Sequence, residues 1–249
     1  MNYLSLFIPA YNEEKNLEKN ILRTYSVLNK YKIKNPHFFF EIVIVDDCSK
    51  DKTSEIADNL SKSIKEIRVL HYFGIKPTRR ENLIKSFKLA KGNIIGFTDS
   101  DSSLDEKEII NAYNKIIAGN DVVIGNRYDS ESKTKRSVKR FLLSRMLNFI
   151  TSLFFPKSYL GYPFYRRDYF CGLKIFTKES ITEILKQTGV DNLERSMWWD
   201  AEMLIIAQKL GYKIMPIPVK WHEENSTKLR FLREYKIIPY IIKFWQSHG

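Results

Sequence analysis

Residues 38–47 read FFFEIVIVDD and residues 93–101 read NIIGFTDSD, and these two stretches decide the fold. Each is a run of apolar and β-branched residues that ends in aspartates, and only Glu41 interrupts the first run. Such a run is typical of a strand that is buried on both faces of a parallel sheet. The two stretches therefore predict buried strands whose carboxyl ends carry acidic groups.

Short strands alternate with segments of helical apolar spacing on either side of these stretches. The alternation predicts an α/β fold with a doubly wound, mostly parallel central sheet flanked by helices. Pro9 is expected to end the first strand, and two prolines in a last strand favour a position at the edge of the sheet. The predicted strands are 3–8, 38–45, 67–72, 93–98, 121–124, 171–176 and 214–221, and the predicted helices are 14–30, 53–63, 80–90, 138–155 and 201–210.

The composition of the 249 residues, 43% hydrophobic and 28% charged, is that of a folded globular protein and excludes a disordered or fibrous chain. We expect one domain over residues 1–228 and an amphipathic tail over 229–249. No apolar run approaches the roughly 18 residues that span a bilayer, and no secretory leader is evident, so a cytoplasmic location is expected. Cys48 and Cys171 lie in no metal-ligand spacing and are expected to be free thiols.

The net charge of +12 is concentrated in one region, residues 133–167, which contains no acidic residue. A dense basic region favours phosphate groups, whether of nucleic acid, of anionic lipid or of a phosphorylated substrate. The nine basic residues are Lys133, Lys135, Arg136, Lys139, Arg140, Arg145, Lys157, Arg166 and Arg167.

Asp99 and Asp101 follow the predicted strand directly and are separated by one serine, Ser100. Two carboxylates on such a turn can bind one hard cation, Mg²⁺ or Mn²⁺, while diphosphate oxygens complete its coordination. The cation would then stabilise a departing diphosphate. Exposed loops rich in aspartate share this pattern, but its position directly after a buried strand favours a metal site that binds a diphosphate.

Three segments together, residues 8–14 (IPAYNEE), 44–53 (IVDDCSKDKT) and 99–101 (DSD), resemble the donor-binding half of family 2 glycosyltransferases. That family has the GT-A fold. The resemblance implies that a nucleoside is held by the first segment and by one of the paired aspartates, and that the metal and diphosphate are held at the third. The implied donor-binding residues are Pro9, Tyr11, Glu13, Asp46 or Asp47, Asp99 and Ser100, and Arg79 is expected to contact the donor phosphates.

Segments of the second half, 125–128 (GNRY), 168–176 (DYFCGLKIF), 199–204 (WDAEML) and 211–228, are similar to polyprenyl-phosphate (dolichyl-phosphate) mannose and glucose synthases. The last of them is somewhat more like the glucosyl branch. The resemblance implies inverting transfer of a hexose from UDP-glucose or GDP-mannose to a polyprenyl phosphate, as in protein glycosylation. It also places Asp200 where the family has its acceptor-side acid.

Arg140 and Ser144 lie one helical turn apart and can grip a single phosphate, the arginine by charge and the serine by hydrogen bonding. The resemblance adds Arg127 to this acceptor site. A phosphate acceptor is already ionised at neutral pH and needs no general base, which agrees with the absence of an obvious catalytic histidine. Asp200 would then orient the sugar, or remove a proton from an alcohol acceptor, or merely cap the helix that follows it.

Three departures from the family pattern stand out. Cys48 replaces the usual glycine after the paired aspartates, and Arg79 with Arg80 replaces a common Lys-Gly pair. Ser102 and Ser103 replace acidic or amide residues, so the choice of donor cannot be transferred from relatives.

Two further points concern partners. We expect peripheral attachment to the cytoplasmic leaflet through residues 133–167 and the tail; the tail could instead pack on its own domain or on a second subunit of a homo-oligomer. One alternative function is transfer to a glycan hydroxyl. The other, a nucleic-acid-binding protein, is disfavoured because it leaves the aspartate motifs without a role, and no nucleic-acid partner is expected.

Overall fold

A computed structural model of the chain describes residues 2–78, 80–101, 103–155, 166–189, 198–222 and 238–248. The strands are β1 (Asn2–Ala10), β2 (Phe38–Asp47), β3 (Ile67–Tyr72), β4 (Ile94–Phe97), β5 (Val122–Asn126), β6 (Lys133–Lys135), β7 (Lys174–Thr177), β8 (Ile214–Pro218) and β9 (Lys220–His222). The helices are α1 (Leu17–Lys34), α2 (Thr53–Ser63), α3 (Glu81–Ser86), α4 (Lys107–Ile117), α5 (Val138–Phe154), α6 (Lys178–Gln187), α7 (Trp199–Lys209) and α8 (Ile238–His248).

Seven strands form one sheet in the order β3-β2-β1-β4-β7-β5-β8. All neighbouring pairs are parallel except those of β7, which runs antiparallel to both β4 and β5. The predicted mostly parallel sheet is confirmed, as is the edge position of the proline-containing strand β8. Because β1, β2 and β4 are parallel neighbours, the segments that follow them meet at one edge of the sheet.

Pro9 does not end the first strand, and this expectation was wrong. β1 continues to Ala10, and Pro9 lies in register with Val45 of β2. The neighbour on the other side, β4, pairs with β1 only as far as Phe7. A proline is tolerated there because no β4 residue opposite it requires a backbone N–H donor.

Other differences follow from long-range packing. The predicted last strand, 214–221, is split into β8, which joins the main sheet, and β9, which pairs with β6 in a separate two-stranded sheet. The sequence patterns had not indicated helices α4 and α6 or strand β6. Strand β7 begins three residues later than predicted, at Lys174, because the segment before it turns toward the carboxyl end of β4.

Apolar side chains are buried on both faces of the sheet, as its nearly continuous hydrophobic strands require. Helix α8 belongs to one of these cores, since Tyr240 and Phe244 are fully buried and Tyr240 donates a 2.7 Å hydrogen bond to Glu202 of α7. The tail helix therefore packs on its own domain through one face; residues 229–237 lie outside the described residues. In the part of the chain that the structure describes, no helix combines the length and apolarity needed to cross a membrane.

Candidate active site

The turn after β4 carries the two aspartates predicted to bind a metal. Asp99 is about one-third exposed, and Asp101 is intermediate in exposure and accepts a 3.1 Å hydrogen bond from the backbone N–H of Ser103. On the other side, Asn20 of α1 donates a hydrogen bond to the carbonyl of Ser100. The turn is thus fixed from two directions while the Asp99 carboxylate stays accessible.

A cluster of alternating charges surrounds Asp99. The Arg80 guanidinium lies 3.2 Å from Asp99 Oδ1 and 3.3 Å from Asp200 Oδ2, and the Lys174 ammonium lies 2.9 Å from Asp200 Oδ1. Both cations lie over the ring of Phe97, with centroid distances of 5.2 Å for Arg80 and 5.5 Å for Lys174. Burial acts to lower the pKa of Arg80, but Asp200 and Asp99 outweigh it, so the pKa is raised and the guanidinium stays charged.

Gly172 packs directly against the carboxylate of Asp99. A Cβ atom at this position would lie 2.0 Å from Asp99 Oδ2, which is far inside van der Waals contact. The Gly172 backbone lies outside the left-handed region, so only the space, and not the conformation, requires glycine here. The segment before β7 therefore sets the position of the Asp99 carboxylate.

Asp46, at the end of β2, is buried and held by three donors. It accepts hydrogen bonds from the Ser49 backbone at 3.2 Å, from His71 Nδ1 at 3.1 Å and from the Ser54 hydroxyl. Burial acts to raise the pKa of Asp46, but these hydrogen bonds outweigh it, and the pKa lies below its ordinary value. His71 also contacts Asp58, at 3.0 Å, so that its ring joins two carboxylates.

Asp47 is equally buried but faces the segment that leads into α3. It accepts hydrogen bonds from the backbone of Thr78 at 2.8 Å and from the side chain of Asn82 at 2.6 Å. Because Arg80 lies between these two donors in sequence, Asp47 holds the segment that carries it. The next residue, Cys48, has φ +67°, in the left-handed region, which explains why a glycine is common there.

The loop after β1 holds the remaining donor-side candidates. Asn12 has φ +53° and its side chain accepts a 2.7 Å hydrogen bond from the Lys50 backbone, which joins this loop to the one after β2. The Glu13 backbone donates a 2.8 Å hydrogen bond to Thr53, and Tyr11 leaves 40% of its surface exposed. The structure thus brings Pro9, Tyr11, Glu13, Asp46, Asp47, Asp99 and Ser100 to one edge of the sheet; Arg79 lies outside the described residues.

Arg127, predicted to bind an acceptor phosphate, forms a buried ion pair. Its guanidinium donates to both carboxylate oxygens of Asp168, at 2.7 and 2.8 Å, and lies 5.1 Å from the centroid of Trp221. Burial acts to raise the pKa of Asp168, but Arg127 outweighs it and the pKa is lowered. The arginine thus anchors β5 to the segment before β7, and its role toward an acceptor stays a prediction.

Ser144 and Arg140 lie on α5, as the helical spacing predicted. The Ser144 hydroxyl donates to the Phe141 carbonyl at 3.0 Å and contacts the hydroxyl of Tyr128, the residue after Arg127. Arg145 lies over the Tyr128 ring at 4.6 Å. Tyr128 therefore links the Gly-Asn-Arg-Tyr segment to α5, which brings the three predicted acceptor residues into one region.

The comparisons with known proteins agree with this arrangement. The family model "Glycosyl transferase family 2" matches residues 5–185, nearly three-quarters of the chain. The chain is a family 2 glycosyltransferase. The recognition made from its motifs is confirmed, and so is the assignment of an enzyme.

One curated relative is "Dolichyl-phosphate beta-glucosyltransferase ALG5A" of Trichomonas vaginalis, to which the transferase is 32% identical over 99% of its own length and 74% of the relative's. Two solved structures share its fold. Glucosyl-3-phosphoglycerate synthase from Mycobacterium tuberculosis, in complex with Mn²⁺, uridine-diphosphate and glucosyl-3-phosphoglycerate, has a TM-score of 0.65 at 18% identity, with 99% of this chain and 80% of that chain covered. Mannosyltransferase PcManGT from Pyrobaculum calidifontis, in complex with GDP-Man and Mn²⁺, has a TM-score of 0.61 at 14% identity, with coverages of 98% and 63%. These likenesses confirm the GT-A fold.

The carboxylates of this transferase fit a hard divalent cation. Asp99 and Asp101 offer oxygen ligands on one turn, and the Arg80 cation beside Asp99 shows that the site attracts positive charge. Among the described residues, no group of three or more His, Cys, Asp and Glu side chains could hold a metal unaided. A cation at these aspartates would therefore take its other ligands from the substrate or from water.

Sequence reasoning gave no role to three supporting residues of the site. Lys174 is fully buried in β7 and is paired to Asp200, 26 positions away. Gly172 is packed against Asp99, and Asp168 holds Arg127. All three lie within residues 168–176, the segment that resembles the polyprenyl-phosphate sugar synthases. That resemblance was the one sequence feature that marked them, because their contacts with distant residues cannot be predicted from sequence spacing.

Proposed function

We propose that the transferase moves a hexose from UDP-glucose or GDP-mannose to a polyprenyl (dolichyl) phosphate, with inversion and with Mg²⁺ or Mn²⁺ as cofactor. The name of the Trichomonas vaginalis relative supports a dolichyl-phosphate acceptor and glucose. The two structural neighbours, which hold Mn²⁺ with UDP or GDP-Man, support a nucleotide donor and a divalent metal.

The two ion pairs of Asp200 are the observation that favours a phosphate over an alcohol as the acceptor. Its carboxylate has both oxygens on cations, Oδ1 on Lys174 and Oδ2 on Arg80, and the side chain is 1% exposed. A carboxylate held in this way is poorly suited to remove a proton from an alcohol. A phosphate acceptor needs no such base, so the arrangement favours transfer to a phosphate and gives Asp200 a positioning role.

The proposed reaction is a single displacement at the anomeric carbon. An acceptor phosphate oxygen forms the new C1–O bond as the C1–O bond to the donor diphosphate breaks, and the nucleoside diphosphate leaves with the bonding electrons. Attack from the face opposite the leaving group inverts the centre, and no proton is transferred. The metal, when bound at Asp99 and Asp101, supplies charge stabilisation for the departing diphosphate.

The residues of this chain then have distinct parts in the proposal. Tyr11 and Glu13, with the loop held by Asp46 and Asp47, bind the nucleoside, and Arg79 contacts the donor phosphates. On the other side, Arg140 and Ser144 of α5 grip the acceptor phosphate, helped by Arg127. The acceptor is thereby positioned without an acid–base residue, so catalysis depends on orientation and charge.

An assay with matched acceptors tests this function. Purified protein is incubated with UDP-glucose, GDP-mannose or UDP-N-acetylglucosamine, each with a polyprenyl phosphate or with the corresponding polyprenol, and with Mn²⁺, Mg²⁺ or EDTA. We expect transfer only to the phosphate and only with metal. Transfer to the polyprenol would overturn the phosphate acceptor, and consumption of no donor would overturn the proposal as a whole.

A lipid acceptor requires access to a membrane, and we extend the proposal to peripheral contact through α5 and α8. One face of α5 exposes large apolar side chains, and so does one face of α8. The two helices contact each other through Phe154 and Trp245, whose ring centroids lie 6.1 Å apart. Neither helix contains an acidic residue, and Lys139, Arg140 and Arg145 provide positive charge for an anionic leaflet. The exposed apolar residues are Val138, Phe141, Leu142, Met146, Phe149, Leu153, Ile238, Ile242 and Trp245.

Flotation with anionic liposomes tests this contact, which we place on the cytoplasmic leaflet. The wild type should float at low salt, and the double variant Leu142→Glu/Phe149→Glu should not. Ile33→Glu, at an exposed position on α1, is the matched control and should float like the wild type. Binding that is indifferent to lipid charge and to the α5 substitutions would contradict the proposal, and concentration-dependent dimerisation lost in the double variant would point to a homo-oligomer instead.

A further inference from the structure

The position of Arg80 suggests more than a structural ion pair. This residue stands where related sequences often have glycine, as the comparison of motifs indicated. Its side chain is 12% exposed, and its guanidinium touches Asp99, which is predicted to bind the metal, and Asp200, to which we gave a positioning role. A single cation therefore joins the two halves of the site.

We propose that Arg80 and the divalent metal compete for Asp99, and that Arg80, once displaced, binds the donor diphosphate. This inference rests on the proposed donor site. Asp99 offers limited room for both cations, because its Oδ2 is packed against Gly172 and its Oδ1 is bonded to Arg80. A metal that takes the carboxylate must therefore weaken the contact with Arg80, since two positive charges at one oxygen repel each other.

The surroundings allow Arg80 to move without becoming buried and unpaired. Its second carboxylate partner, Asp200, lies 3.3 Å from the guanidinium and keeps this contact when the metal takes Asp99, so Arg80 stays paired. The Phe97 ring provides a flat face at 5.2 Å along which the guanidinium can lie. A diphosphate that arrives with the metal offers the geometry that arginine prefers, two oxygens facing its planar donors.

The segment that bears Arg80 is held firmly enough to keep it within reach. Thr78 and Asn82, on either side of Arg80, both donate to the buried Asp47. The backbone at Arg80 is thereby fixed, while its side chain contacts Asp99, Asp200 and the ring of Phe97. Asp47 is thus a positioning residue for Arg80, in addition to any contact that it makes with the nucleoside.

Competition and capture predict opposite changes in two affinities. Removal of Arg80 should strengthen binding of Mn²⁺ alone, because Asp99 loses its resident cation, and should weaken binding of a nucleoside diphosphate to the Mn²⁺-loaded protein. The mutual enhancement of the two ligands, which is a coupling free energy between their sites, should fall as well. A residue that only stabilised the fold would lower both affinities together.

The experiment uses the full chain and no sugar transfer. Mn²⁺ binding is followed by the electron paramagnetic resonance signal of the free ion, and UDP and GDP binding with saturating Mn²⁺ is measured by calorimetry. We expect Arg80→Gln to bind Mn²⁺ alone about fivefold more tightly and the better nucleotide about tenfold more weakly. Arg80→Lys keeps the charge but loses the planar donors, so both of its affinities should lie between those of the wild type and those of Arg80→Gln.

Arg68→Gln is the matched control, since Arg68 is also paired with a buried carboxylate, Glu41 at 3.1 Å, but lies away from the site on β3. It should change neither affinity, and thermal melts establish that each variant is folded. Unchanged or weaker Mn²⁺ binding in folded Arg80→Gln would overturn the competition, and unchanged nucleotide binding would overturn the capture. A wild type that binds neither Mn²⁺ nor nucleotide would instead overturn the proposed donor site, and this inference with it.

Discussion

The two sides of the site, which we propose to bind the donor and the acceptor, are built differently. At the end of β2, Asp46 and Asp47 are buried, and their oxygens accept hydrogen bonds from neighbouring elements, among them His71 of β3 and Asn82 of α3. On the acceptor side, α5 exposes most of its length, and only Asn148, Thr151 and Ser152 of its residues are buried. The difference agrees with the proposal of a rigid platform for the nucleotide on one side and an open, basic and apolar surface for a lipid on the other.

The largest effect is expected at the metal turn. Asp99→Asn should reduce sugar transfer by about a thousandfold, because the amide removes the charge that attracts the cation. The measurement is the initial rate at saturating donor and Mn²⁺. Asp129→Asn, the same change in the loop after β5, should retain activity, and an active Asp99→Asn would contradict a catalytic metal at the turn after β4.

Gly172→Ala is expected to have the next largest effect. One methyl group would displace the Asp99 carboxylate, and a displacement on the order of 1 Å at a reacting centre can cost about a hundredfold in rate. Gly119→Ala provides the contrast, since Gly119 has φ +94° and open space around it. Gly119→Ala should lose about 1 kcal/mol of stability and no activity. A fully active Gly172→Ala would show that Gly172 does not set the position of the Asp99 carboxylate.

A smaller effect is expected on the acceptor side, where the surface is open. Arg140→Ala should raise the KM for polyprenyl phosphate by about tenfold and leave the KM for the donor unchanged, because one charged hydrogen bond is lost. Lys139→Ala, at the neighbouring exposed position of α5, serves as the control. If both variants behave alike, the phosphate is attracted by the general charge of α5 and not gripped at one place.

The smallest effect concerns pH and the donor platform. Burial acts to lower the pKa of His71, but Asp58 and Asp46 outweigh it and the pKa is raised. The stability that charged His71 provides is therefore complete below its ordinary pKa of about 6.5 and is lost as pH rises through the folded value. His71→Asn should lower Tm by about 2–4 °C at about pH 6 and by less at about pH 8.5; an equal loss at both would exclude a charged His71.

The two sides also differ in what the sequence could predict. The proposed donor-binding residues lie in contiguous motifs at the ends of predicted strands, so their convergence at one edge followed from the parallel sheet. The contacts of Arg80 with Asp200, 120 positions apart, and of Arg127 with Asp168, 41 apart, depend on tertiary packing. No periodicity encodes such pairs, and for the same reason the antiparallel insertion of β7 and the β6–β9 pair could not be foreseen.

The central claim is that the turn after β4 binds a divalent ion together with the donor diphosphate. A crystal of the protein grown with Mn²⁺ and UDP, with data collected at the manganese absorption edge, tests it most directly. The account predicts one anomalous peak within bonding distance of the Asp99 and Asp101 carboxylates, in contact with the diphosphate. A peak elsewhere, or a bound diphosphate with no peak beside these aspartates, would contradict it.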